Sequence, residues 1–498
     1  MKLGIDFGTS FSLPAVQFRG ESYILLPGGT YGIPSVFYYD SADNLPLVGI
    51  AAEDAGQGEY SSSLIREIKM SLSSNVKSGG KTFSGSQVAG YILAKVKEIA
   101  LSTAEEKAID ERLEGVVISV PAAFGHNEKE LILQAARMPV SEGGPGFNVL
   151  GLVKEPVAAA LAYFKASLAD HTQILVYDLG GGTFDVSIIE IGEGSTQAEK
   201  YRVIDADMKR IGGRDWDKKL AEYIANEIRK QAGINISGNS AYMERIKRAA
   251  VAVKHNFSEK IAGKYRDKVS ARIDIEGRTR TVQVTKTIFD ELTSELFLET
   301  VKLTKQLIQR NPGLNISKFI CVGGSSKMPQ VKEGIRNAFP NFDIRIYEPE
   351  KAIAFGASIY AESCGTGISL LSDIAPFSYG IRTCRDYDRD PDDEIIVNLV
   401  RKADRLPKTQ SHNFYTVENN QAHVSFKVYE SSIREDRYDY VYDDKNEPIM
   451  DVILEIPPVY PKDTRLSVDM TLTESGIIEV TARDENGHTQ KGRKQLHF

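Results

Sequence analysis

Two short turns, each following an aspartate, contain residue types that suit phosphate binding. They occur in GIDFGTSFS (Gly4–Ser12) and in VYDLGGGTFDVS (Val176–Ser187). Glycine lets the backbone pass close to an anion, and successive N–H groups can then point into one concave cradle. The residues expected to form the two cradles are Gly8, Thr9 and Ser10 in the first turn and Gly180, Gly181, Gly182 and Thr183 in the second.

The aspartates before the turns, Asp6 and Asp178, would hold a cation for the phosphates. Mg²⁺ prefers oxygen ligands and keeps most of its waters, so we expect a hydrated Mg²⁺ between the two carboxylates. Either turn alone is more typical of ordinary turn chemistry. Together, each at the end of a predicted strand and about one lobe apart, they indicate a duplicated lobe whose turns face each other across a nucleoside triphosphate. The sequence contains no G-x-x-x-x-G-K-[ST], which excludes a P-loop enzyme.

Two further glycine pairs could also let the backbone approach a ligand closely. Each pair alone is more typical of a tight turn, but beside the two cradles they become candidates for close backbone approach to the nucleoside. They are Gly212 and Gly213 in RIGGRDWD, and Gly323 and Gly324 in ICVGGSSKMP.

The elements that must position these turns alternate between strand and helix patterns over the first two-thirds of the chain, which predicts α/β layers. The predicted strands are Lys2–Asp6, Gly115–Val120, Ile174–Asp178, Val186–Ile191 and Lys318–Val322. The predicted helices are Gln87–Leu101, Asn127–Ala136, Pro156–Ala166, Trp216–Gln231, Ala241–Asn256 and Ile288–Arg310.

The last third has period-2 apolar patterns with turn residues between them, which predicts a β-sandwich. The predicted strands are Glu394–Val400, Ala422–Val428, Met450–Ile456, Leu466–Leu472 and Ile477–Ala482. The short segment Gly365–Asp373, which contains two closely spaced glycines, is predicted to be an interdomain linker. Two acidic stretches, Arg385–Glu394 and Arg434–Asn446, are predicted to be solvated loops.

Composition limits the class of protein. The 498 residues are 42% apolar and 26% charged, which excludes disorder throughout. A net charge of −7 offers no overall field for nucleic acid or an anionic membrane, so neither is an expected partner. Three scattered cysteines exclude a disulfide framework and a structural zinc site. Because no apolar signal core or membrane-spanning stretch occurs, we expect a cytoplasmic location.

Across nearly its whole length the sequence resembles the heat shock protein 70 chaperone family. The similar segments are GIDFGTSFS, VVISVPAAF, KEPVAAALAY, DLGGGTFDVSI, IGGRDWD, VGGSSKMPQV and EPEKAIAFGA, in the family's order. The resemblance implies an actin-like ATPase domain with ribonuclease-H-like duplicated lobes (1–367), a linker (368–374) and a β-sandwich that binds extended peptides (375–498). The sequence stops at GRKQLHF, so we expect a short member without the family's helical lid.

The resemblance also implies residue roles. Phe11 joins the first phosphate hairpin, and the expected catalytic residues are Lys69, Glu155, Asp178 and Thr183. Asp6 and Asp178 are the expected magnesium residues, and Asp185 is the residue expected to bind potassium. Lys69 has an alternative interpretation as a surface lysine on an amphipathic helix, because its flanking residues diverge from the family.

The resemblance also implies residues that contact the adenosine part of the nucleotide. They are Lys254, His255, Ser258, Ser325, Lys327 and Glu350. Here the sequence departs from the family: Val251 replaces a carboxylate, and His255 and Lys327 replace arginines. Both arginine replacements lose a planar guanidinium. We therefore expect ATP to bind more weakly. The alternative for His255 is a histidine on the surface of a helix.

Peptide binding is the last implied function. The residues expected near the groove are Ile396, Phe414, Val417 and Val424; the alternative is that all four belong to the sandwich core. The predicted function is a slow, ATP-hydrolysing chaperone for extended or unfolded clients, with a J-domain co-chaperone and a nucleotide exchange factor as further candidate partners. The alternative is a nucleotide-gated module for one dedicated partner with little turnover, whereas a sugar-kinase-like phosphotransferase is disfavoured by the C-terminal sandwich.

Overall fold

The computed structural model describes the chain apart from residues 57–62, 110–111, 123, 165–171, 193–200, 234–235, 237–238, 262, 365–374, 376, 403, 405, 432, 434, 440–446, 458–459, 474–475 and 497–498. The chain divides into two compact units. The first comprises Met1–Phe124, Glu130–Ile191 and Asp205–Thr366, and the second Gly125–Lys129, Gly192–Ile204 and Gly367–Phe498. The predicted linker, 368–374, lies outside the described residues.

The elements are numbered along the chain. The strands that precede the sandwich are β1 (Lys2–Phe7), β2 (Phe11–Phe18), β3 (Glu21–Ile24), β4 (Ile33–Pro34), β5 (Val36–Asp40), β6 (Leu45–Val48), β7 (Ile65–Arg66), β8 (Asn75–Ser78), β9 (Lys81–Ser84), β10 (Gly115–Val120), β11 (Val149–Lys154), β12 (Thr172–Leu179), β13 (Phe184–Ile191), β14 (Tyr201–Lys209), β15 (Lys260–Ile261), β16 (Lys264–Tyr265), β17 (Lys268–Ile275), β18 (Arg278–Thr285), β19 (Ile316–Val322) and β20 (Asp343–Ile346).

The sandwich strands are β21 (Ser378–Asp386), β22 (Asp390–Val400), β23 (Lys408–Tyr415), β24 (His423–Ser431), β25 (Arg437–Asp439), β26 (Met450–Glu455), β27 (Arg465–Leu472), β28 (Ile477–Arg483) and β29 (Thr489–Gln495). The helices are α1 (Ile50–Ala55), α2 (Gly85–Glu106), α3 (His126–Arg137), α4 (Glu155–Phe164), α5 (Gly213–Ala232), α6 (Ser240–Ser258), α7 (Lys286–Gln309), α8 (Pro329–Ala338) and α9 (Ala352–Ser363). None of these helices is both long and apolar enough to cross a lipid bilayer.

The first unit contains the same sheet twice. In one copy the strand order is β3-β2-β1-β10-β11, and in the other it is β14-β13-β12-β19-β20. Each central strand, β1 or β12, pairs antiparallel with the next strand in sequence and parallel with a later one. The predicted duplicated α/β lobe is therefore confirmed, and the two aspartate-glycine turns connect equivalent strands.

Continuous apolar runs explain why these central strands form. All six residues of β10, GVVISV, are buried, as expected for a strand covered on both faces. Helix α2 begins with a capping box in which Ser84 and Gln87 satisfy each other's backbone N–H groups. Its apolar stripe, which includes Val88, Ile92 and Val96, packs into the core of the first sheet.

Helix α9 packs unusually closely on its neighbours. A Cβ on Gly356 would overlap the carbonyl oxygen of Ala158 in α4 and lie 2.6 Å from its Cα atom. A Cβ on Gly4 of β1 would lie 2.5 Å from the Cα atom of Ser358 in α9. Only glycine at these two positions lets the helix, the sheet and α4 meet at backbone distance.

The second unit contains two antiparallel sheets that enclose one apolar core. Their strand orders are β25-β22-β21-β24-β26 and β23-β27-β28-β29. Alternation is regular along β27, where Leu466, Val468, Met470 and Leu472 are fully buried and the residues between them are not. The predicted β-sandwich is confirmed.

Several elements were not predicted from the sequence, among them α8, α9, β2 and β11, and two local features differ in an informative way. Arg385–Glu394 is not a loop: its ends belong to β21 and β22, whose register joins Cys384 to Glu394 and Asp386 to Asp390. Backbone pairing needs no apolar side chain, so exposed acidic residues can extend a hairpin into solvent. The hairpin of β17 and β18 was not predicted, although Val269, Ala271, Ile273 and Ile275 alternate in sequence. Of the second acidic stretch, 440–446 lie outside the described residues.

The contact of α9 with α4 gives the first testable prediction. Gly356→Ala should destabilise the first unit by roughly 1–3 kcal/mol, because the added methyl group meets rigid backbone. Differential scanning calorimetry measures the shift of the unfolding transition. Gly313→Ala is the matched control, since a Cβ there meets no atom within 4 Å. Equal stability of the two variants would contradict the close packing described for α9.

Candidate nucleotide-binding site

The two aspartate-glycine turns meet. A Cβ on Gly181 would overlap the hydroxyl of Ser10, and one on Gly182 would lie 2.7 Å from the Thr9 methyl group. The second turn is closed by the Gly180 N–H, which donates to the carbonyl of Thr183 at 3.0 Å. The backbone of both turns thus lines one small space, and a side chain on either glycine would fill it.

Four acidic residues surround this space. Asp6 lies near the end of β1 and accepts a 3.1 Å hydrogen bond from the Ser119 hydroxyl. Asp178 is directly opposite Asp185 in the register of β12 with β13. Glu155, the first residue of α4, forms an ion pair with Lys69, and each residue is only 5% exposed.

Lys69 lies in a short 3₁₀ turn, Ile68–Met70, and not on an amphipathic helix. The alternative interpretation as a surface lysine is therefore wrong in its structural premise, because the side chain is buried among carboxylates. Burial acts to lower the pKa of Lys69, but the negative charges of Glu155 and Asp6 outweigh it and raise that pKa. The ammonium group consequently stays protonated.

The carboxylates outnumber the cation, and the pKa values of the three aspartates reflect this. Burial away from solvent is the main cause that raises the pKa of Asp6 to about 7 and the pKa of Asp185 to about 7. Repulsion from the charge of Glu155 is the second cause for both residues. The same two causes, with the charge of Asp185 added, raise the pKa of Asp178 well above its ordinary value. One oxygen of Asp185, Oδ1, is buried without a hydrogen-bond partner. A bound cation would relieve both the repulsion and the unsatisfied oxygen.

The other two glycine pairs also reach the second turn. The Gly213 N–H donates to the carbonyl of Gly180 at 3.0 Å, and the Ser325 hydroxyl donates to the same carbonyl at 2.9 Å. Gly323 adopts a left-handed φ of 79°, and a Cβ there would lie against the backbone of Leu179. The four glycine elements therefore converge, as the sequence predicted for a nucleotide site.

The residues expected at the adenosine end are present but already engaged with each other. Lys254 donates to the carbonyl of Gly213 at 2.9 Å and to Asp217 at 2.6 Å. Lys327 and Glu350 form an ion pair at 2.6 Å. Gly324, at the start of the same 3₁₀ turn as Lys327, lies beside Glu350, whose Cγ would be 3.6 Å from an added Cβ.

The remaining residues of that set, His255 and Ser258, are exposed and half-buried respectively. His255 is exposed on α6, which is compatible with both a nucleotide contact and a surface histidine, and Val251 is 37% exposed on the same helix. The Ser258 hydroxyl donates back to the carbonyl of Lys254. Phe11, beside the first turn, is 43% exposed.

The expected peptide-groove residues divide into two groups. Phe414 belongs to the sandwich core, where its ring lies 5.6 Å from that of Phe426, and Val424 packs against the same core. Ile396 is buried on the face of β22 opposite to its core neighbours, and Val417 is half-buried. Core packing accounts for Phe414 and Val424, whereas Ile396 and Val417 lie outside that core cluster and stay predictions for the groove.

Three residues near the site were missed by the sequence analysis. Ser119 binds Asp6, Asp217 binds Lys254, and Arg214 forms an ion pair with Glu67 beside the second turn. Arg214 directly follows the glycine pair of RIGGRDWD, so its position beside a candidate nucleotide-binding turn could have been predicted from the sequence. Ser119 is a hydroxyl within the buried strand GVVISV, and that isolated polar residue was the only sign of it in the sequence.

The buried Asp185 gives a prediction about pH. Its folded-state pKa of about 7 exceeds the ordinary 3.8, so the free energy of unfolding of the ligand-free protein should fall as pH rises from 3.8 towards 7. Asp185→Asn should flatten this decline, because a neutral side chain has no charge to bury. Chemical denaturation between about pH 5 and about pH 8 measures it. Asp343→Asn, on the surface beside Arg345, is the control; an equally steep decline in both variants would contradict the assignment.

Comparison with known proteins agrees with this geometry. A family model described as Hsp70 protein matches residues 59–495, which is most of the 498-residue chain. The match begins after the first turn, whose place in the site rests on the contacts of Thr9 and Ser10 with the second turn. Proteins of this family are ATPases with an actin-like nucleotide-binding fold and a chaperone-type, ATP-gated function. The chain belongs to the Hsp70 family.

Proposed function

We propose that this Hsp70 protein hydrolyses ATP between the two turns and uses the cycle to change the affinity of its sandwich for extended polypeptide segments. The observation that carries the proposal is the convergence of both glycine turns on a buried cluster of Lys69, Glu155 and aspartates. The cluster would supply charge and proton acceptors, and the turns would supply backbone N–H donors for phosphate oxygens.

The cation of the proposed site is Mg²⁺. Within the described part of the chain no group of three acidic, histidine or cysteine side chains is arranged to hold a metal ion by itself. Asp6 and Asp178 suit a hydrated Mg²⁺ that takes its other ligands from water and phosphate. When bound, Mg²⁺ would neutralise charge on the phosphates. The unsatisfied oxygen of Asp185 makes that residue the candidate for a second ion, potassium.

Each residue around the terminal phosphate has a proposed role. The ammonium of Lys69 would stabilise charge that develops on that phosphate. Glu155 or Asp178 would accept a proton from the attacking water, and the Thr183 hydroxyl would orient that water.

For client binding we propose a β-strand mode. An extended segment would gain main-chain hydrogen bonds, and apolar residues near Ile396 and Val417 would select an aliphatic side chain. A J-domain co-chaperone, a nucleotide exchange factor and a cytoplasmic location stay predictions from the family resemblance and the sequence. The departures at Val251, His255 and Lys327, which remove a carboxylate and two guanidinium groups, favour a second candidate function, a dedicated binding module with little ATP turnover.

One assay distinguishes the two functions. ATP turnover should be measured with and without an unfolded apolar peptide, in the wild type and in Lys69→Ala. We expect stimulation by peptide and a loss of roughly 10²-fold or more in the variant, since the buried cation acts on developing charge. ATP should still bind to the variant.

The matched control is Lys95→Ala, which removes a surface lysine paired with Glu98 at 2.6 Å. It should turn over ATP at the wild-type rate. Binding without turnover in the wild type would support the dedicated module instead. Wild-type rates in Lys69→Ala would remove that residue from the chemistry.

A further inference from the structure

Arg214 lies against the second glycine turn. It is the second residue of α5, and its backbone N–H donates to the carbonyl of Gly181 at 3.0 Å. One end of its guanidinium, Nη1, would be 3.3 Å from a Cβ built on Gly182. The same Gly182 faces Thr9 of the first turn. The positive charge is therefore at the rim of the space that the two turns enclose.

The partner of Arg214 belongs to the segment that carries Lys69. Nη1 of Arg214 forms an ion pair with Oε2 of Glu67. Glu67 directly precedes the 3₁₀ turn Ile68–Met70 and adopts a left-handed φ of 60°. Few residues other than glycine, asparagine and aspartate adopt such a backbone, so the ion pair and the turn together hold Glu67 in an uncommon conformation. Arg214 thus links the second glycine turn to the proposed catalytic lysine.

The ion pair between Arg214 and Glu67 is suited to replacement of Glu67 by another anion. The side chain of Arg214 is 29% exposed and that of Glu67 is 39% exposed, and ion pairs this accessible to water contribute little stability. A second acidic neighbour, Asp215, is 3.9 Å from Nε of Arg214, and its Oδ2 also accepts a 2.8 Å hydrogen bond from the Gly212 N–H. A terminal phosphate carries more negative charge than a carboxylate and matches the fork of guanidinium donors.

We propose that Arg214 is a nucleotide-contacting residue, which exchanges its ion pair with Glu67 for the terminal phosphate of ATP. The inference rests on the proposed function, because it places a nucleotide between the turns. Glu67 then acts as a competitor of the phosphate for Arg214. Since ADP lacks the terminal phosphate, the exchange discriminates between the two nucleotides, and it releases the segment before Lys69 only when ATP binds.

The test is calorimetric titration of ATP and ADP into the full chain with Mg²⁺. Arg214→Gln should weaken ATP binding roughly tenfold or more and ADP binding much less, as for a charged hydrogen bond lost to one nucleotide only. Glu67→Gln should strengthen ATP binding, and Arg214→Gln with Glu67→Gln should bind ATP no better than Arg214→Gln. Arg214→Lys should recover part of the loss by restoring the charge.

The control is Arg483→Gln, which breaks a comparable exposed pair with Asp469 in the sandwich and should change neither affinity. Equal losses for ATP and ADP in Arg214→Gln would assign the residue a structural role and overturn the proposal. Unchanged ATP affinity would overturn it as well. Failure of the wild type to bind either nucleotide would overturn the proposed function itself, which is a distinct outcome.

Discussion

The crowding of Asp6, Asp178, Asp185 and Glu155 around the buried cation of Lys69 is the constraint on which the site depends. Removing carboxylates from water costs free energy unless a positive charge compensates it. In the ligand-free chain the compensation is incomplete, which is why the aspartate pKa values rise. A bound cation would supply positive charge that the site lacks, so the repulsion that destabilises the ligand-free site favours binding of that cation.

Duplication of one sheet explains how such a cluster can be assembled. Each copy has an aspartate as the penultimate residue of its central strand and a tight turn after that strand, and the two turns approach until Gly181 faces Ser10. Close backbone contact also fixes the support behind the site, where α9 meets α4 at Gly356. Glycine is required at these contacts by space and not by an unusual backbone angle, since neither Gly181 nor Gly356 has a positive φ.

Local patterns in the sequence predicted the repeated strands, the glycine turns and the alternation of the sandwich, because these depend on neighbouring residues. They could not show the ion pairs Lys69–Glu155 and Arg214–Glu67, which join residues 86 and 147 positions apart. Phe414 illustrates the same limit. The sequence around Phe414 is compatible with either a groove position or a core position. Phe414 packs on Phe426 of the opposing sheet, and that contact cannot be read from the local sequence.

ATP binding to Gly181→Val, measured by calorimetry, tests most directly whether the two turns form the phosphate site. A branched side chain at this position would occupy the space between the turns, so we expect ATP binding to be lost. Gly28→Val is the control, because a Cβ at Gly28 meets no atom within 4 Å, and it should bind ATP like the wild type. ATP affinity in Gly181→Val equal to that of the wild type would contradict the assignment of the two turns as the phosphate site.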